Sequence, residues 1–205
     1  MSSLRDFQVR RENTLNKLRI EIKNGRVDSK IIPLLEEINS IPYYYTTSSC
    51  AGRIVVLELP ELGDKQNAVF LGRWHRMVSK QEVEESFKKT SKGYIWFLAQ
   101  SPIFHVAAYT MEEAGRLLKA GYAAGFKHSG LKNTGDKIIV ELTSTERIDA
   151  PIGRDGLILC SEEYLELLVE NANLVIKRGE EKLMRLMREV SSIKDEYLGG
   201  EEGTP

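Results

Sequence analysis

One stretch, residues 43–56, constrains this chain more than any other. Three tyrosines lead into the small polar residues Thr46-Thr47-Ser48-Ser49-Cys50, and Ala51-Gly52-Arg53 follows. The next residues, 54–59, are apolar and rich in β-branched side chains, which predicts a largely buried strand. A hydroxyl-rich segment is poor core material, so the sequence predicts a polar loop that runs directly into a sheet.

The polar loop has two interpretations. In the functional one, Ser48, Ser49 and the side-chain-free Gly52 let a ligand approach the backbone closely, and Arg53 offers a planar guanidinium to a carboxylate or phosphate. In the structural one, the hydroxyls bond their own backbone in a solvated loop and Cys50 is an ordinary buried thiol. Composition alone leaves both open.

Composition narrows the classes of protein. With 205 residues, 41% hydrophobic and 29% charged, the chain is typical of a soluble globular protein. The net charge of -1 predicts that any nucleic-acid contact is local. Two distant cysteines favour a reducing cytoplasmic compartment without disulfides, and His75, His105 and His128 show no metal-ligand spacing. No apolar run is long enough to span a membrane.

The periodicity predicts an α/β (α+β) fold, with a mixed sheet flanked by helices, as a single domain over residues 1–194. The acidic, glycine-containing residues 195–205 predict a disordered tail. No Gly-x-Gly-x-x-Gly motif follows a strand, so the fold is not expected to be of the Rossmann type. The order helix, aromatic residue, serine–glycine loop and apolar strand occurs twice, at Ser49–Gly52 and at Ser129–Gly130, which suggests an internal pseudo-repeat with both loops at one sheet edge.

Several side chains are candidates for chemistry. His105 lies in an apolar strand, and either it or His75 is a conceivable base for a nucleophilic Cys50. Trp74 and His75 combine a stacking surface with a hydrogen-bonding group, which suits an unpaired base. The first helix carries an excess of basic residues, which fits either a solvated face or a phosphate-contacting arm.

At this point several stretches together resemble the tRNA wybutosine-synthesizing protein 3 family. The most specific is Thr46-Thr47-Ser48-Ser49-Cys50-Ala51-Gly52-Arg53-Ile54, and the others follow in order over most of the chain. They are residues 104–106, 124–130, 150–158, 162–165 and 171–173.

The resemblance implies a transferase that uses S-adenosyl-L-methionine and methylates N4 of the tricyclic wyosine-type base at position 37 of tRNA-Phe, in the anticodon loop. It places Ser49, Cys50, Gly52 and Arg53 on the floor of the site, with His105, Ser129 and Gly130 opposite. His128 stands where an asparagine is expected and is not carried over. Two rival hypotheses are a non-catalytic RNA-binding module and a thiol enzyme that uses Cys50.

Overall fold

The computed structural model describes residues 3–64 and 66–201. The helices are α1 (Leu4–Lys23), α2 (Ile32–Ser40), α3 (Lys80–Phe87), α4 (Met111–Ala124) and α5 (Glu162–Glu201), with a 3-10 turn at Ser29–Ile31. The strands are β1 (Tyr44–Cys50), β2 (Arg53–Leu59), β3 (Val69–Trp74), β4 (Tyr94–Gln100), β5 (Ile103–Ala108), β6 (Gly130–Asn133), β7 (Ile138–Thr143), β8 (Arg147–Arg154) and β9 (Leu157–Ile158). None of the helices within these residues is long and apolar enough to cross a bilayer.

The described residues divide between two compact units. Unit 1 contains the residues up to Ala51, then 102–145, and the chain from Glu180 onward. Unit 2 contains residues 52–101 and 146–179. The sequence predicts one domain over 1–194, and the structure distributes that span over both units. Residues 195–201, predicted to be disordered, continue helix α5, while 202–205 lie outside the described residues.

Unit 1 is built on a four-stranded antiparallel sheet in the order β1-β5-β7-β6. One face carries the larger core, where α2, α4 and the later part of α5 pack on strand residues such as Phe104 and Val140. The other face is covered in part by α1, which packs Phe7 and Leu15 against Tyr45 and Ala107. Burial of these apolar side chains is the main stabilising term on both faces.

A bulge in β1 decides which face each hydroxyl occupies. Tyr45 pairs with Ala107 and Thr46 with Val106, but the next pair is Ser48 with His105, so Thr47 is the extra residue. Because side chains alternate along a strand, one extra residue moves every later side chain to the opposite face. Ser48 therefore shares the face of Tyr45 and His105 instead of facing the larger core.

Unit 2 is built on a five-stranded antiparallel sheet in the order β3-β2-β4-β8-β9. Its core packs α3 and the first part of α5 on β2, β4 and β8, through residues such as Val83, Leu165, Val56 and Phe97. Asn173 of α5 fixes the loop before α3: its amide oxygen accepts from the Val78 N–H at 2.8 Å and its amide nitrogen donates to the Val78 carbonyl at 2.8 Å.

The predicted α/β class with flanking helices is confirmed, but the strands form two antiparallel sheets instead of one mixed sheet. The two apolar strands of the suggested repeat lie in different sheets, and its segments at Ser49 and Gly130 lie in β1 and β6, the opposite edge strands of one sheet, so they do not share a sheet edge. Most of the segment predicted as a polar loop is a strand, β1 (Tyr44–Cys50). Pro151 in β8 lies beside the register shift at Ile95 and Trp96, where a missing backbone N–H is tolerated.

We predict that Asn173→Ala lowers the free energy of unfolding by about 1–3 kcal/mol, because it leaves both backbone groups of Val78 without their partner. Urea unfolding followed by circular dichroism measures this value. Asn171→Ala is the matched control, since Asn171 is exposed and donates only to a carbonyl one turn back in the same helix. Equal effects of the two substitutions would contradict the assigned role of Asn173.

Candidate active site

A row of four residues, one from each strand, crosses the sheet of unit 1. Ser48 of β1 pairs with His105 of β5, His105 pairs with Glu141 of β7, and Glu141 pairs with Gly130 of β6. The row lies on the face that α1 covers only in part, next to the row that contains Tyr45 and Ala107. Three residues proposed from sequence, Ser48, His105 and Gly130, therefore lie in one row across the sheet.

Hydrogen bonds connect the side chains of this row. His105 Nδ1 lies 2.9 Å from Ser48 Oγ, and His105 Nε2 lies 2.8 Å from Glu141 Oε2. The other carboxylate oxygen of Glu141 accepts from Lys132 Nζ at 2.9 Å. The His105 and Glu141 side chains are 28% and 14% exposed, so the histidine is reachable from solvent while the carboxylate is largely covered.

The charge of Glu141 fixes the orientation of the histidine. Burial alone raises the pKa of Glu141, but the hydrogen bonds and charges of Lys132 and His105 outweigh it and hold this pKa below the ordinary value of 4.5. An ionised carboxylate only accepts hydrogen bonds, so His105 donates from Nε2. In the neutral ring Nδ1 is then the acceptor, and the Ser48 hydroxyl donates to it.

The rest of the hydroxyl-rich segment has separate roles. Thr46 is buried and exchanges hydrogen bonds with Asn39 of α2, which accepts from the Thr46 N–H at 2.8 Å. Cys50 pairs with Ile103, so alternation puts it on the face of His105, two residues along the strand. Ser49 pairs with Phe104 and belongs to the opposite face.

Ser129 is placed inside the fold. Its hydroxyl donates to the Phe126 carbonyl at 2.7 Å and accepts from the Thr143 N–H at 3.1 Å. The residue is 9% exposed, and these bonds join the segment after α4 to β7. Gly130, the next residue, is the one that reaches the row.

In unit 2, Arg53 begins β2 directly after Gly52, whose φ of 94° favours glycine. The Arg53 Nε donates to Gln100 Oε1 at 2.8 Å, across the pair that joins β2 to β4. Within the described residues, its terminal nitrogens have no further hydrogen bond or ion pair. Arg53 is half-buried, so its guanidinium is oriented and still able to take a bidentate anion.

Trp74 and His75 also lie in unit 2. The ring of Trp74 covers Gly72 so closely that a Cβ atom added to Gly72 would lie 2.1 Å from a ring carbon. The same ring packs against the core of unit 2. His75 Nδ1 lies 3.1 Å from the Gly52 carbonyl oxygen. Trp74 is thus partly occupied by packing, while His75 contacts the glycine of the sequence motif.

The basic face of α1 divides into structural and exposed positions. Arg11 donates to the carbonyl oxygens of Tyr44, at 3.0 Å, and Asn39, which fixes α1 to β1 and α2. Arg10 is half-buried, whereas Lys17 is exposed. The predicted phosphate-contacting arm is therefore smaller than the count of basic residues suggests.

Sequence reasoning missed Glu141, Lys132 and Gln100. Glu141 did leave a signal, since a lone carboxylate in the apolar strand Ile138–Thr143 requires a partner when it is buried. Its partner was not predictable because it depends on strand register. Within the described part of the chain, no three His, Cys, Asp or Glu side chains form a metal-binding group.

The model of the family Methyltransferase TYW3 matches residues 9–192. This chain therefore belongs to the TYW3 methyltransferase family, which confirms the resemblance found in the sequence.

Relatives match over nearly their whole length. A Thermococcus sibiricus protein is 45% identical over 93% of this chain and 97% of its own, and it is named tRNA(Phe) 7-((3-amino-3-carboxypropyl)-4-demethylwyosine(37)-N(4))-methyltransferase. A Pyrococcus furiosus protein, which has the same name followed by the number 1, is 48% identical over 92% of this chain and 96% of its own. A solved Pyrococcus horikoshii structure superposes with a TM-score of 0.88 at 48% identity, covering 93% of this chain and 98% of that one.

The Glu141→Gln substitution should lower the free energy of unfolding by an amount that depends on pH. Because the folded state holds the pKa of Glu141 below 4.5, the ionised carboxylate stabilises the fold above that pH. This stabilisation disappears as the pH falls through the lowered pKa. The difference in the free energy of unfolding between wild type and Glu141→Gln should therefore be largest near pH 7 and shrink below pH 4.5.

Urea unfolding at a series of pH values measures the difference. Glu166→Gln, at an exposed position of α5, controls for the loss of one negative charge. If the difference in the free energy of unfolding between wild type and Glu141→Gln stays constant from neutral to acidic pH, Lys132 and His105 do not hold the carboxylate ionised.

Proposed function

We propose that this protein transfers a methyl group from S-adenosyl-L-methionine to N4 of the tricyclic demethylwyosine-type base at position 37 of tRNA-Phe. The family and the names of the relatives support the reaction class and the tRNA. The observation that carries the mechanism is the hydrogen-bonded row of Ser48, His105 and Glu141. The base at position 37 lies in the anticodon loop, where it is accessible without opening a duplex.

The row is built to accept a proton. Methylation of a ring nitrogen that bears a hydrogen would form the N–C bond, break the donor's S–C bond with its electron pair left on sulfur, and release one proton. Ser48 Oγ is exposed and can receive that proton while its own passes to His105 Nδ1. Glu141 keeps Nε2 as the donor and faces the positive charge that forms on the ring.

Arg53 fits the methyl donor. The donor carries an α-carboxylate, and the guanidinium of Arg53 has an oriented Nε and terminal nitrogens without other partners among the described residues. A planar fork of this kind binds a carboxylate through two parallel hydrogen bonds. When bound, S-adenosyl-L-methionine supplies an electrophilic methyl group, and the protein contributes positioning and proton transfer.

The direct test uses tRNA-Phe that carries the demethylwyosine intermediate, with and without the 3-amino-3-carboxypropyl group. The expected result is a mass increase of one methyl group on the nucleoside at position 37, dependent on S-adenosyl-L-methionine. Calorimetry should separately detect binding of S-adenosyl-L-methionine. Binding of tRNA without donor binding or methyl transfer would favour the rival hypothesis of a non-catalytic RNA-binding module.

A second candidate, a thiol enzyme, has less support from the geometry. Cys50 shares the face of His105, but the two ring nitrogens of His105 already face Ser48 and Glu141. The Cys50→Ser variant distinguishes the general-base mechanism from the thiol mechanism. Measurable methyl transfer by this variant supports the base mechanism, and complete loss in a folded variant supports covalent chemistry.

His105→Gln should lower kcat by about 100- to 10,000-fold, the usual contribution of a general base. The affinity for S-adenosyl-L-methionine should change little, since the proposed role of the row is to take the proton from the methyl acceptor. Single-turnover methylation at several pH values measures the loss. The substitution should also remove the pH dependence that the base imposes on the methylation rate. A kcat within a few-fold of wild type, with the fold intact, would exclude His105 as the base.

Arg53→Lys should weaken binding of S-adenosyl-L-methionine by about 1–3 kcal/mol, because an ammonium group does not reproduce the bidentate fork. The melting temperature without ligand should change little. Calorimetry and thermal unfolding on the same purified variant measure both quantities, and Arg73→Lys, at an exposed position of β3, is the matched control. A stability loss with normal donor binding would make Arg53 a structural residue.

A further inference from the structure

A small cavity opens in unit 1 at the end of β5 and β7. Aromatic rings of Phe7, Tyr45 and Tyr109 line one side, and Arg10 and Lys137 supply positive charge beside the carboxylate of Asp136. The exposed loop at residues 134–137 forms its outer edge. The volume is about 140 Å³, well below the 300–1,000 Å³ typical of sites for whole small molecules. The cavity therefore suits one planar ring better than a complete cofactor.

The chemistry of the lining resembles that of sites for single-stranded nucleic acid. Such sites combine aromatic side chains, which contact bases, with cations that contact the phosphates. Tyr109 is half-buried and already contacts Phe7, with ring centroids 5.3 Å apart, so the aromatic wall is held in place. Lys137 is exposed and has no hydrogen bond or ion pair to any other described residue.

The position of the cavity relates it to the candidate row. His105, Ala107 and Tyr109 alternate on the same face of unit 1, and α1 covers the middle of that face around Ala107. Four residues along a strand span roughly 13 Å. That distance corresponds to about four stacked nucleotides, or to fewer nucleotides if the RNA chain is extended. The two places are therefore close enough for one RNA loop whose chain passes beside α1.

We propose that this cavity binds an unpaired nucleobase of the tRNA loop that carries the reacting base, with Lys137 and Arg10 at the adjoining phosphate. The proposal rests on the proposed function, because it names a second contact of the same substrate. The lining of the cavity carries the two cations Arg10 and Lys137 against the one carboxylate of Asp136, which gives a local positive excess on a protein of net charge -1.

Lys137→Ala tests the phosphate contact without disturbing the fold, since the residue is on an exposed loop. The logarithm of tRNA affinity, plotted against the logarithm of salt concentration, should lose about 0.7–0.9 of a unit of slope. Lys119→Ala is the matched control, an exposed lysine on α4, which packs against the opposite face of the sheet. An unchanged slope for Lys137→Ala, or an equal decrease for both variants, would overturn the phosphate contact.

Tyr109→Ala tests the base contact, with Tyr109→Phe as the variant that keeps the ring. The probe is a tRNA-Phe anticodon stem–loop with 2-aminopurine at the loop nucleotides that flank position 37. Wild type and Tyr109→Phe should change the fluorescence of at least one of these nucleotides on binding. Tyr109→Ala should remove that change and weaken binding roughly 5- to 100-fold, the range for loss of one base–aromatic contact.

Donor binding separates failure of this proposal from failure of the proposed function. S-adenosyl-L-methionine should bind Lys137→Ala and Tyr109→Ala as it binds wild type. If wild type methylates tRNA while both variants keep wild-type tRNA affinity and fluorescence, the cavity proposal is wrong and the function stands. If wild type neither binds nor methylates tRNA-Phe, the proposed function fails, and this proposal fails with it.

Discussion

The register of the four-stranded sheet in unit 1 is the constraint on which the candidate active site depends. Ser48, His105, Glu141 and Gly130 come from four separate segments of the chain, and only the antiparallel pairing puts them side by side. Backbone hydrogen bonds hold the strands, so the side chains need little further ordering to form their own bonds. A site on paired strands is positioned more tightly than one on loops, and the proposed proton transfer requires such positioning.

The bulge at Thr47 is the local feature that makes this register productive. Without the extra residue, Ser48 would face the larger core, and Thr47 would occupy its place opposite His105. Thr47 also supports the new arrangement, because its hydroxyl donates to the His105 carbonyl at 3.1 Å. The run of small hydroxyl residues therefore has a structural as well as a chemical reason: it forms a strand that can bulge while keeping its polar groups paired.

Much of the fold could be predicted because local chemistry determines it. Thr110 and Ser79 cap α4 and α3 through their side chains, a role that these residue types favour, and the apolar residues 54–59 form the largely buried strand that their composition predicts. The errors concern segments whose partners are distant in sequence. Strand β1 lacks an apolar pattern and exists because β5 and α2 satisfy its polar groups.

The site shows the same limit. His105 and Ser48 were predictable as types of residue, but Glu141 was not, because its role comes from the strand pairing rather than from spacing. Ser129 shows the opposite error, since a hydroxyl in a matching motif is used inside the fold to join Phe126 and Thr143. A motif therefore identifies a segment, and the hydrogen-bond partners identify which of its side chains are left for chemistry.

Arg53 illustrates how a partner can prepare a residue for a ligand. A free arginine loses side-chain entropy when it binds an anion, and this loss reduces the affinity. Gln100 already restricts the guanidinium through Nε, on the edge that does not take part in an end-on bidentate contact. Since β2 and β4 pair Arg53 directly with Gln100, the sheet itself fixes this orientation. In the proposed donor contact, the terminal nitrogens bind an anion with part of the ordering cost already met by folding, and a flexible lysine would not be an equivalent residue.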